Sequence, residues 1–148
     1  MERTIFQAMT QRHVISLGPS ASVFDAACTM TRDLCTSVLV IDTGNLLLGI
    51  VTERDLVTRV IAHRRDPGGT TLQEVMTSKP RCVTPSTPVA DGVLMMIEGG
   101  YRHLPVVDEG GRILGVFSAR DALPREIGLH PETGKPIIVK LSPNVAQP

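Results

Sequence analysis

The sequence predicts an α/β (α+β) fold made of two copies of one unit, each a small sheet with flanking helices. The first observation is a repeat, because the stretch GIVTERDL at 49–56 returns as GVFSARDA at 115–122, which is 66 residues later. In both copies, short apolar runs typical of strands alternate with apolar residues at helical spacing. A copy of about 60 residues closes a core poorly, so we expect the copies to pack together about a pseudo-twofold axis.

Each copy begins with a predicted short helix followed by a strand. Thr4-Ile5-Phe6-Gln7 has the S/T-x-x-E/Q form of a capping box, and Thr71-Leu72-Gln73-Glu74 repeats it. Apolar strands are predicted next, at 14–17 and at 81–84, because turn residues rich in Pro and Ser close both segments.

An amphipathic helix and two strands follow in each copy. The spacing of apolar residues predicts helices at 22–34 and 88–98, with their methionines in the core. Paired strands are then predicted on either side of two turns that begin with Asp42 and Asp108, again 66 residues apart.

The ends of the copies set the predicted domain boundaries. The first central motif continues into a helix that stops in the Pro/Gly-rich joint at 64–69, whereas Pro124 makes the last helix of the second copy short, broken or rebuilt. We therefore predict repeat 1 at 4–66, repeat 2 at 71–126 and a C-terminal tail at 127–148. The tail should extend over the surface, with 137–139 as a candidate edge strand.

Composition excludes several classes of protein. Fifteen basic and fifteen acidic residues give a formal net charge of zero and only 3% of residues are aromatic, so a nucleic-acid partner is not expected. No apolar run approaches the roughly 18 residues of a membrane span, and no leader is recognisable, so we expect a cytoplasmic protein without a membrane partner. Three irregularly spaced cysteines predict reduced core thiols rather than disulfides or a metal site.

The repeated motif allows two interpretations that can hold together. Thr52 with Asp55, and Ser118 with Asp121, have the spacing of a hydroxyl and an acid that cap a helix start. The exposed N–H groups of such a start also attract phosphate, the hydroxyl can donate to it, and a nearby carboxylate can accept from ribose hydroxyls.

A repeat of this period and element order resembles the CBS domain (cystathionine β-synthase domain), and the pair resembles a Bateman module. The resemblance covers roughly 4–126 and rests on landmarks that agree independently: Val75-Met76-Thr77, Val83-Thr84-Pro85, His103-Leu104-Pro105-Val106-Val107-Asp108 and the glycine-to-aspartate stretch. It implies clefts between the repeats that accept adenosine-containing ligands such as AMP, ADP, ATP, S-adenosylmethionine or NAD.

The resemblance also implies which residues bind the ligand. Thr52 and Ser118 would contact phosphate, and Asp55 and Asp121 would contact ribose. The positions implied for base contacts lie near Ile15, Thr36, Ser37, Arg81, Arg102 and His103. The second copy has the family's glycine and proline at Gly100 and Pro105, but the first copy has Leu34 and Leu39 there, which argues against equal behaviour of the two clefts.

Arg54 and Arg120 lie between the hydroxyl and the acid, where the helix dipole disfavours a cation. Either a bound phosphate offsets this, or the arginines are solvated and pair with acids such as Glu53, Asp55 or Glu98. His103 has a surface role as an equal alternative to phosphate binding, and His13, His63 and His130 are assigned to surface or loop positions.

Neither a nucleophile with a base, nor a P-loop, nor a metal-binding pattern is recognisable. We therefore predict no catalytic residues, no metal, no required cofactor and no enzyme activity. The resemblance implies a stand-alone regulatory module that binds an adenine nucleotide and signals to an unknown target protein. It also implies a homodimer that forms through the two amphipathic helices. The alternative is a scaffold for dimerisation and docking with empty clefts.

Overall fold

The computed structural model describes residues 3–122, 127–129, 132–133 and 136–138. The chain divides into two compact units, which do not coincide with the sequence repeats. We call His13–Arg81 the central unit, and Met1–Arg12 together with Cys82–Pro148 the terminal unit. The short helix that begins each repeat therefore belongs to the unit formed mostly by the other repeat.

The central unit contains a four-stranded sheet and flanking helices. Its elements in chain order are β1 (Ser16–Leu17), α2 (Val23–Asp33), β2 (Ser37–Ile41), β3 (Leu47–Thr52), α3 (Glu53–Asp55), a π-helical segment (Leu56–Ile61), α4 (Leu72–Val75) and β4 (Thr77–Ser78). The strand order is β1-β2-β3-β4, with β1 parallel to β2 and the other two pairings antiparallel.

The terminal unit begins with α1 (Ile5–Ala8) and is built around a two-stranded antiparallel sheet. Val83 forms a parallel bridge to Val106, so the strand predicted at 81–84 contributes one bridge rather than a named strand. The other elements are α5 (Val89–Gly99), β5 (His103–Val107), β6 (Ile113–Ser118), a 3₁₀ helix (Ala119–Ala122), β7 (Ile127–Leu129) and β8 (Pro136–Ile138).

The two short helices begin as their sequences predict. Thr4 and Gln7 form a reciprocal capping box at α1, and the Glu74 carboxylate accepts from the Thr71 N–H, 2.7 Å away, at α4. Each start also bridges the beginning of a long helix, Thr4 with Pro88 in the terminal unit and Ser22 with Thr71 in the central unit. These bridges attach each short helix to its compact unit.

The hairpins β2–β3 and β5–β6 have the same strand register, because each residue pair of the first returns in the second 66 residues later. Val38 pairs with Val51 as Leu104 pairs with Phe117, and both hairpins carry a register shift before their last pair. Their turns also match, because the Asp42 and Asp108 carboxylates each accept from two backbone N–H groups at 2.9 Å. The predicted repeat is thus confirmed at the level of single hydrogen bonds.

Each unit has its own apolar core, as expected for a mixed α/β fold with a small sheet and flanking helices. The largest fully buried side chains include Phe117, Ile5, Leu39 and Leu72. Met30 and Met96 are buried, which confirms the prediction for these two methionines. The prediction of three core thiols is correct for Cys35 but wrong for Cys28 and Cys82, which are exposed.

Two predictions concern the C-terminal part of the chain. Ile137 and Ile138 do lie in a strand, and it pairs antiparallel with β7. Val139 and Pro124 lie outside the described residues, so the expected effect of Pro124 on the last helix is not tested. Among the helices of the described part, none combines the length and apolar character that a membrane crossing requires.

Candidate functional site

One end of the central hairpin brings together the candidate residues of the first repeat. Ser37, the first residue of β2, pairs with Thr52, the last residue of β3. The Thr36 carbonyl accepts from the Glu53 N–H at 3.0 Å, and the Ile15 carbonyl accepts from the Leu39 N–H at 3.0 Å. These backbone bonds place the predicted base-contacting segments next to the helix start that follows β3.

Thr52 and Asp55 form a reciprocal capping box at this helix start. The Asp55 Oδ2 atom accepts from the Thr52 N–H at 2.9 Å, and the Asp55 N–H donates to Thr52 Oγ1 at 3.3 Å. The capping interpretation is therefore confirmed for the first copy. It uses one carboxylate oxygen of Asp55.

Asp55 Oδ1, the second carboxylate oxygen, faces Arg59. Arg59 Nε lies 3.6 Å from Asp55 Oδ1, and the side chains are 46% and 13% exposed, respectively. Arg59 also donates to the Val75 carbonyl at 2.8 Å, which links the π-helical segment to α4. Arg59 is not among the site residues predicted from the sequence, although a cation four residues after an acid is a recognisable helical pair.

The terminal hairpin has an equivalent end. His103 pairs with Ser118, and the Arg102 carbonyl accepts from the Ala119 N–H at 2.9 Å. His103 is partly buried, whereas Arg102 is exposed. The candidates Arg102, His103, Ser118 and Asp121 of the second repeat are therefore assembled by the same backbone bonds as their first-repeat counterparts.

Asp121 differs from Asp55 in how its carboxylate is bonded. Asp121 Oδ2 accepts from the Ser118 N–H at 2.9 Å and from the Ser118 hydroxyl at 3.4 Å. Asp121 Oδ1 accepts from the Thr10 hydroxyl at 2.8 Å and from the Thr10 N–H at 3.3 Å. Asp121 is only 3% exposed. Both oxygens are thus engaged by the protein, and the Ser118 hydroxyl donates instead of accepting as a capping hydroxyl would.

The remaining candidates are cationic. Arg54, Arg81 and Arg120 are exposed. Neither Arg54 nor Arg120 joins an ion pair with any residue of the described ranges. The pairing predicted as an alternative for these two arginines is therefore not seen there, and they are available to an anion. Arg81 is the last residue of the central unit.

Comparison with known proteins gives a consistent result. The CBS domain family model matches residues 5–62 and 72–126. A CBS domain-containing protein of Arabidopsis thaliana is 37% identical over 109 residues, which are 74% of this chain but only 20% of that protein. The chain therefore spans about a fifth of this relative's length.

Two solved structures resemble the chain along most of its length. A protein with CBS domains from Burkholderia ambifaria is 33% identical, with a TM-score of 0.75 over 82% of this chain and 89% of that one. A CBS domain protein of Pyrobaculum aerophilum, solved in complex with AMP, is 25% identical, with a TM-score of 0.73 over 80% of this chain and 89% of that one.

Proposed function

Because the chain belongs to the CBS-domain family and carries two copies of the domain, we propose that it is a regulatory module that binds an adenosine-containing ligand. AMP, ADP and ATP are the first candidates, followed by S-adenosylmethionine and NAD. Ligand occupancy would be signalled to a separate target protein. The proposal assigns no catalysis to the chain.

The observation that carries the proposal is the junction of β3 with the following helix. A hydroxyl at Thr52, an exposed guanidinium at Arg54 and a carboxylate at Asp55 lie within one helical turn. Such a junction can meet a nucleotide with a donor and a cation for phosphate, and with an acceptor for ribose hydroxyls. The AMP complex of the Pyrobaculum aerophilum relative supports an adenine nucleotide as the ligand.

The other predicted ligand contacts remain part of the proposal. In the central unit, the base would lie near the segments that contain Ile15, Thr36 and Ser37. The second predicted set comprises Ser118, Arg120, Asp121, Arg102 and His103, with Arg81 preceding it in the chain. Its acid differs from Asp55, because both carboxylate oxygens of Asp121 are already bonded within the protein.

We also propose that the protein is a homodimer. Several large apolar side chains are exposed on the long helices, with Phe24 58% exposed on α2 and Leu94 and Ile97 53% and 73% exposed on α5. A second copy would remove this apolar surface from water, which favours association. Sedimentation should therefore give twice the chain mass at micromolar concentration, and a monomer would contradict this part of the proposal.

A ligand screen tests the proposed function. Melting curves are measured with AMP, ADP, ATP, S-adenosylmethionine and NADH at millimolar concentration, and the samples are then checked for reaction products. A ligand at one hundred times its Kd stabilises the fold by about 2.7 kcal/mol, which raises Tm by roughly 5–10 °C for a chain of this size. If no ligand shifts Tm, the scaffold with empty clefts is favoured, and product formation would instead indicate an enzyme.

A further inference from the structure

We propose that the two repeated acids have different roles: Asp121 anchors the N-terminal segment, and Asp55 alone is the acid that accepts a ligand's ribose hydroxyls. The part that concerns the ligand rests on the proposed function. The part that concerns the anchor rests on contacts within the terminal unit. The expected result is about one nucleotide bound per chain.

Asp121 has no carboxylate oxygen left without a close donor. Thr10 supplies two donors to Oδ1, and Ser118 supplies two to Oδ2. A ribose hydroxyl could reach Oδ1 only by replacing the Thr10 hydroxyl, which already bonds at 2.8 Å. This exchange replaces one O–H···O⁻ bond with another, so it yields little net free energy for binding.

A second contact attaches the same segment to the same place. The Arg3 guanidinium donates through one nitrogen to the Ala122 carbonyl at 3.1 Å and to the Asp121 carbonyl at 3.4 Å. Arg3 and Thr10 lie on either side of α1, so the segment is held to the 3₁₀ helix at both ends. The Arg3 contacts would therefore oppose any displacement of Thr10 from Asp121, because they hold the same segment.

Asp55 lacks a matching anchor. Thr77 is the counterpart of Thr10 after the second short helix, yet it lies in β4 and pairs with Ile50 of the central sheet. The only group that the described structure places on Asp55 Oδ1 is Arg59, at 3.6 Å. That distance is longer than a hydrogen bond, so Asp55 Oδ1 keeps unused acceptor capacity even while Arg59 stays bonded to the Val75 carbonyl at 2.8 Å. A ligand hydroxyl at Asp55 would therefore add a hydrogen bond instead of exchanging one.

The anchor is tested first without any ligand, using Thr10→Val and the matched control Thr77→Val. Thr10→Val removes the hydroxyl donor of a charge-assisted bond, so Tm should fall by about 2–6 °C, and Thr10→Ser should restore it. Thr77→Val changes an exposed strand residue and should move Tm by only about 1 °C. Equal melting temperatures for the two valine variants would refute the anchor.

The ligand part is tested by calorimetric titration with AMP. Wild type should bind about one AMP per chain, Asp55→Asn should weaken binding at least about tenfold, and Asp121→Asn should weaken it less than about threefold while lowering Tm. A tenfold loss in Asp121→Asn at unchanged Tm would overturn the division of roles and leave the proposed function intact. If wild type binds no AMP, the proposed function fails for AMP, and the proposed role of Asp55 fails with it. The Thr10 melting curves still decide the anchor.

Discussion

Gly49 begins the repeated motif, and replacing it with alanine gives a sharp test of the central sheet. A Cβ atom at this position would lie 2.6 Å from Met76 Sδ and 2.7 Å from the Thr77 carbonyl oxygen. The methionine side chain can move, but the carbonyl belongs to the backbone of β4. Only a glycine in β3 therefore lets β4 approach closely enough to pair at Gly49 with Ser78 and at Ile50 with Thr77.

The expected cost follows from these contacts. Either β4 shifts by several tenths of an ångström or its two-residue pairing with β3 is lost, and overpacking or the loss of such bonds costs about 1–3 kcal/mol. For a chain of this size, Gly49→Ala should lower Tm by roughly 3–10 °C. Amide hydrogen exchange should also accelerate in β4, because its backbone bonds are weakened.

Gly18→Ala is the matched control. A Cβ atom at Gly18 would meet no heavy atom within 4 Å, and its backbone φ is not in the left-handed region. The control should therefore leave Tm unchanged or raise it slightly, because alanine restricts the unfolded chain. If Gly49→Ala melts at the same temperature as Gly18→Ala, the close approach of β4 does not explain the glycine in the motif.

Three further predictions need only the purified chain. Leu34 is 87% exposed and left-handed with φ 53°, so Leu34→Gly should raise Tm by about 1–3 °C, whereas Leu34→Ala should not. Asp42→Ala and Asp108→Ala should each cost about 1–2 kcal/mol in chemical denaturation, and unequal losses would contradict the equivalence of the two turns. Cys35 is buried, so an aromatic disulfide reagent should label the exposed Cys28 quickly and Cys35 only after unfolding. Burial raises the pKa of the Cys35 and Cys82 thiols, so Cys82 should react more slowly than Cys28, and rapid labelling of Cys35 would contradict its burial.

Local sequence patterns predicted the long helices, the turns and the paired strands. The helices around Ala26 and Gly92, the turns at Asp42 and Asp108 and the two hairpins follow from apolar spacing and from side chains that bond to their own neighbourhood. The helices and turns depend on residues within about five positions of each other, and each hairpin joins two strands that are consecutive in the chain.

Other features depend on contacts that are distant in the chain. The short helices join units formed mostly by the other repeat, and the repeat pattern alone does not contain that exchange. Leu34 takes the left-handed conformation that Gly100 takes in the second copy. The leucine therefore keeps the backbone geometry of the helix end and adds conformational strain there. Exposure of Cys28 and Cys82 likewise depends on which faces of the chain become covered.

The two acids illustrate why a motif match is insufficient to assign a site. Asp55 and Asp121 occupy the same position in the repeat, and each accepts from the backbone N–H three residues before it. What distinguishes them is the partner of the second oxygen, which comes from four residues away at Asp55 and from 111 residues away at Asp121. A ligand needs acceptor capacity that the fold has left unused. The sequence repeat conserves the residue type, but only the packing of Thr10 determines whether that capacity remains.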